Sequence, residues 1–106
     1  MFTVKIMNEF IHSPLWIYDE DSIIDEPEFI ANDARLQDLC NKVENMFSSY
    51  YEFDSHNEPC WFNHEKEKAE KNIMLKLISC IKERLAEIND GNFVVEDIET
   101  ERLKNL

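Results

Sequence analysis

The chain has 106 residues, a formal net charge of −12 and 43% hydrophobic residues, so it is acidic enough for a solvated tail yet apolar enough to build a core. Its length fits one domain, residues 1–106, and not two. Without a basic patch it is unsuited to direct nucleic-acid binding, and its single glycine argues against a loop that cradles phosphate by close backbone approach.

Phe2, Val4 and Ile6 alternate with Thr3, Lys5 and Met7, the period of two that predicts a half-buried strand. No basic segment followed by an apolar stretch precedes it, which predicts a cytoplasmic protein without a cleaved signal. No apolar run approaches the roughly 20 residues of a membrane-spanning helix. His12-Ser13-Pro14 interrupts the pattern, and Leu15-Trp16-Ile17-Tyr18 resumes it as the second arm of a hairpin. Residues 19–31 read as irregular, with Ile23, Ile24, Phe29 and Ile30 pinning them to the core and Ile23-Ile24 suited to a short strand.

Asn32 or Asp33 is placed to cap a first helix by accepting free amide hydrogens of its opening turn. Leu36, Leu39, Cys40, Val43, Met46, Phe47 and Tyr50 then form an apolar stripe at helical spacing. From Ser48 to Asn63 the chain is dense in aromatic residues around Asp54-Ser55-His56-Asn57-Glu58-Pro59, and Pro59 argues against a continuous helix there. This stretch is expected to be irregular. Asn63 is expected to cap a second, longer helix to about Asn89, with Ile73, Met74, Leu77, Ile78, Ile81, Leu85 and Ile88 on one face, ended by Asp90-Gly91. Phe93-Val94-Val95 reads as a buried strand, and residues 99–106 as a short terminal helix or a frayed end. The order predicts an α+β fold, a small, largely antiparallel sheet with two helices packed on one face.

Acid is distributed unevenly along this framework. Residues 1–33 hold eight acids against Lys5 alone, whereas residues 65–90 balance six acids with six bases. Asp19, Glu20, Asp21, Asp25, Glu26 and Glu28 follow one another with no base between them. Repulsion among such neighbours costs stability, and a solvated loop without a role is the plain alternative to a binding surface. Asp54, Glu58 and Trp61 form a second acidic and aromatic group. Aromatic side chains ringed by charge suit a protein interface, although core packing accounts for many of Trp16, Tyr18, Tyr50, Tyr51, Phe53, Trp61 and Phe62.

Chemistry finds less support. His56, Cys60 and His64 follow an H-x3-C-x3-H spacing beside Asp54 and Glu58, a set from which a small metalloprotein is conceivable. It matches no established finger pattern, and the competing reading places His56 in a loop and His64 in the first turn of the second helix. A Cys60 nucleophile would face carboxylates that suppress its thiolate. The odd count of three cysteines favours free thiols over a disulfide framework. The sequence therefore predicts no catalytic residue, no metal and no cofactor.

In size, acidity and α+β pattern, and locally at Tyr50-Tyr51-Glu52-Phe53-Asp54-Ser55-His56 followed by Cys60-Trp61-Phe62, the chain resembles the small bacterial immunity proteins of contact-dependent inhibition and colicin-like systems. The resemblance implies a cytoplasmic, non-enzymatic inhibitor of one cognate protein toxin, with an acidic interface suited to the basic cleft of a nuclease. Its candidate contacts, taken from charge clustering, are Asp19, Glu20, Asp21, Asp25, Glu26, Glu28, Asp54, Glu58 and Trp61. The alternatives are a nucleic-acid mimic or a regulatory adaptor, and then the metalloprotein.

Overall fold

The computed structural model describes residues 2–55 and 58–106. Strand β1 (Phe2–Ile6) pairs antiparallel with β2 (Leu15–Tyr18), which pairs antiparallel with the two-residue β3 (Ile23–Ile24). On its other side β1 pairs parallel with β6 (Phe93–Asp97), giving the order β3-β2-β1-β6. The sheet is therefore mixed, with one parallel pair beside two antiparallel ones. A hairpin explains β1 and β2, but the chain returns to β1 only after all its long helices, and a crossover of that length delivers a parallel neighbour.

Between β3 and β6 run α1 (Glu28–Ala31), α2 (Ala34–Ser48), β4 (Tyr51–Ser55), β5 (Glu58–Phe62), α3 (His64–Ala69) and α4 (Lys71–Ile88), and α5 (Glu99–Lys104) closes the chain. The segment expected to be irregular is instead a second sheet, the antiparallel pair β4-β5. Alternation in Tyr51-Glu52-Phe53 carries the strand period, and Pro59 is tolerated because both strands are edges. Asp33 caps α2, its carboxylate accepting from Leu36 N at 2.8 Å, and Asn63 caps α3 by accepting from Lys66 N at 3.0 Å. The predicted second helix is divided at Glu70, whose backbone lies at φ −96° and ψ 6°. Glu70 O still accepts from Met74 N at 3.1 Å, so α4 follows α3 closely.

Val4 and Ile6 of β1 and Leu15 and Ile17 of β2 are buried with Leu36, Cys40, Val43 and Phe47 of α2 and Met74, Ile78, Ile81 and Leu85 of α4. Each such Val, Leu, Ile, Met or Phe side chain contributes about 1.5–3 kcal/mol over an exposed one. The alternate residues Thr3, Lys5, Trp16 and Tyr18 are only half-buried. Phe93 is buried, but Val94 and Val95 are exposed, so β6 is an edge strand rather than the buried strand its composition predicts. The terminal segment is docked, with Leu103 in the core. None of the described helices is long and apolar enough to cross a membrane.

Candidate functional site

The acidic stretch is built from the turn between β2 and β3, the edge strand β3, and the entry to α1. Asp19 makes the turn. Its Oδ1 accepts from Asp21 N and Ser22 N, both at 2.8 Å, while its own N–H donates to Ser22 O at 3.0 Å. These amide donors hold the Asp19 carboxyl below its ordinary range, keeping an exposed charge at the tip. Ile30, fully buried, anchors the far end of the segment.

Asp19, Glu20, Asp21, Asp25 and Glu28 are exposed and Glu26 is half-buried. Among the described residues none of the six pairs with a lysine or arginine; Glu26 instead accepts from Gln37 Nε2 at 3.3 Å. Several acids elsewhere are structural. Arg84 grips Asp33 through Nη2 at 2.6 Å and Nε at 3.1 Å, which holds the Asp33 carboxyl below its usual range. Burial opposes the charge of Asp97, but Thr100 and Lys82 more than offset it and leave its pKa lowered. Arg102 bonds both Glu67 and Glu99. These acids are spent on the fold, whereas the run from Asp19 to Glu28 meets no cation; acids elsewhere, among them Glu44, Glu83 and Glu96, likewise form no ion pair among the described residues, so the run is set apart by its density in sequence.

Two clefts open beside β3. One, of about 270 Å³, is lined by Phe2, Asp19, Glu20, Asp21 and Ile24. The larger, of about 410 Å³, lies between the β2–β3 edge and α2; its polar lining includes His12, Asp25, Glu26, Gln37, Asn41 and Glu44, with Trp16 beside them. The sequence reading missed Glu44 and Gln37. Their signal was a polar flank, Gln37, Asn41 and Glu44 at i, i+4 and i+7, running alongside the apolar stripe of α2.

The second predicted group belongs to the other sheet. Trp61 is half-buried in β5, facing Glu52 in register. The side chains of Asp54 and Glu58, like His56 as a whole, lie outside the described residues. Cys60 is exposed in β5, and His64 opens α3 with its ring edge-on to Phe62, centroids 4.7 Å apart. Among the described residues no three His, Cys, Asp or Glu side chains are placed to hold a metal ion. No protein-family model, curated protein or solved structure matches the chain.

Proposed function

We propose that this chain is an immunity protein, a cytoplasmic, non-enzymatic inhibitor that covers the basic cleft of a cognate toxin, in the first instance a nuclease. The supporting observation is the division of its acids: Asp33, Asp97, Glu67 and Glu99 are held by cations, while the six carboxylates from Asp19 to Glu28 have none among the described residues. Six carboxylates within ten residues, with no cation among them, carry a dense local negative field, which steers a positive partner and raises its association rate. In this reading α2 and α4 together cover one face of the four-stranded sheet, and the β3 edge presents the cluster. Asp54, Glu58 and Trp61 of the paired strands β4 and β5 would extend the contact.

The test is affinity capture at low salt from the organism that encodes the chain, followed by kinetics. A basic nuclease should be recovered. Replacing Asp19, Asp21, Asp25 and Glu26 with Asn or Gln should slow its association at least tenfold at low salt and flatten the salt dependence. Recovery of no basic partner, or association unchanged by the four substitutions, overturns the reading.

One dimension favours the nucleic-acid mimic as the second reading. The molecule measures 48 × 26 × 25 Å, and an elongated acidic body can follow a groove made for a duplex. A mimic would bind several unrelated nucleic-acid-binding proteins, an immunity protein one.

A further inference from the structure

We infer that the larger cleft beside β3 receives a guanidinium group, the side chain of an arginine presented by the basic partner. This deepens the preceding reading and rests on it for the identity of the partner, though not for the chemistry of the cleft. At about 410 Å³ the space far exceeds a single ion and accommodates a long side chain. Asp25, Glu26 and Glu44 line it, with no lysine or arginine. They are not gathered as a chelating group, since among the described residues no three acids or imidazoles could share a metal. Carboxylates spread around a wider space match the several outward-pointing N–H donors of a guanidinium better than a compact ion.

Positioning is supplied from two sides. Gln37 Nε2 donates to Glu26 Oε2 at 3.3 Å and to Ile30 O at 3.0 Å, fixing the half-buried Glu26 against α2. On the β2 side His12 and Trp16 stack with centroids 3.8 Å apart and planes 6° from parallel, and Trp16 Nε1 donates to Met7 O at 2.9 Å. This fixed aromatic unit lines the cleft, and a planar cation gains from lying against an aromatic face. The cleft opens because β3 pairs only with Ile17 and Tyr18, so the chain leaves β2 uncovered beside Leu15 and Trp16. An arginine can enter there without displacing a strand.

The test uses the full chain with Nα-acetyl-arginine amide as probe, compared with the lysine and norleucine amides, read by amide and indole NMR shifts. The arginine probe should saturate with a dissociation constant of about millimolar, as expected for so small a ligand, and should shift the Trp16 indole and the α2 amides near Gln37 and Glu44. Glu26→Gln with Glu44→Gln should weaken it at least fivefold. Should that pair unfold the chain, the exposed Asp25→Asn alone should weaken it by about twofold or more. Absence of saturation, equal binding of norleucine, equal binding of lysine, shifts centred elsewhere, or affinity indifferent to the folded acid variants each overturn the assignment. Because the probe needs no partner, failure here is separable from failure of the toxin reading, which is judged by capture and by the salt dependence of association.

Discussion

Arg102 Nη2 lies 2.7 Å from Glu67 Oε2, a bond that ties the terminal helix α5 to α3 across 35 residues of sequence. The same guanidinium reaches Glu99 Oε2 at 3.0 Å, and Glu99 Oε1 accepts from Asn8 N at 3.0 Å just beyond β1. Both carboxylates are only 2% exposed, whereas the Arg102 side chain is 40% exposed. Burial opposes the charge of Arg102, but the two glutamates more than offset it and raise its pKa. Removing the cation strands two buried anions. Arg102→Met should therefore destabilise the fold by about 3 kcal/mol, the low end for a broken buried pair because the guanidinium is partly solvated. Urea unfolding checks this, and a loss below about 1 kcal/mol would show that the pair contributes little.

Acid should unfold the protein through its structural aspartates. Asp33, held by Arg84, and Asp97, where Thr100 and Lys82 outweigh burial, both lie below the ordinary aspartate value of 3.8. A folded pKa below the unfolded one adds stability that is fully present above the unfolded value and lost as pH falls through the folded one. This contribution should stay constant from pH 7 to about 5 and fall away below about pH 4. In Asp33→Asn the falling limb should be shallower, which chemical unfolding at several pH values measures.

The three free cysteines should separate by reactivity. Burial pushes the Cys40 thiol up to about 12, which leaves it almost wholly protonated at pH 8, whereas Cys60 is exposed on β5. A disulfide reagent at pH 8 should modify Cys60 at least a hundredfold faster than Cys40 in the native protein. Cys60→Ser should remove the fast phase, and its persistence would refute the assignment.

Ile11 is a β-branched residue at φ 49°, in the turn closed by the Glu9–His12 bridge. That backbone region costs an L-residue roughly 1–2 kcal/mol, and Ile11 is 70% exposed, so little packing offsets it. Ile11→Asn, which tolerates the conformation, should stabilise the protein by about 0.5–1 kcal/mol. A lowered melting temperature would contradict this.

Neutralising the bare acids should leave the fold intact or strengthen it. Asp21, Asp25 and Glu28 are exposed and form no ion pair among the described residues, so Asp21→Asn, Asp25→Asn and Glu28→Gln together relieve repulsion without breaking a contact. Thermal unfolding at low salt should shift upward by a few degrees, less at high salt, where screening already weakens the repulsion. A downward shift would mean these carboxylates support the fold.

Much of this architecture was legible in local pattern. Asp33 was one of two residues placed to cap α2 and Asn63 was expected to open the next helix, because a cap needs only a side-chain oxygen before an apolar-periodic run. Strand β1 shows its alternation, β2 its aromatic and β-branched residues, and Ile23-Ile24 a capacity for a strand. The antiparallel pair β4-β5 is obscured in sequence because Pro59 reads locally as a breaker, while an edge strand tolerates it. Val94 and Val95 look like buried strand residues in any window of sequence, yet their exposure follows from β6 being last in the sheet.

By itself the sequence determined the number of charges, the α+β composition and the run from Asp19 to Glu28, since these depend on residue identity and short-range periodicity. Only the tertiary structure decided which acids remain bare. Glu67 and Glu99 lie 32 positions apart and meet at one arginine, and Asp33 finds Arg84 across 51 residues. Pairing of this kind is set by how α2, α3, α4 and α5 pack, a long-range property that composition cannot carry. The tertiary structure also brings Glu44 of α2 beside Asp25 and Glu26, turning an acidic stretch into a lined cleft next to the two-residue β3.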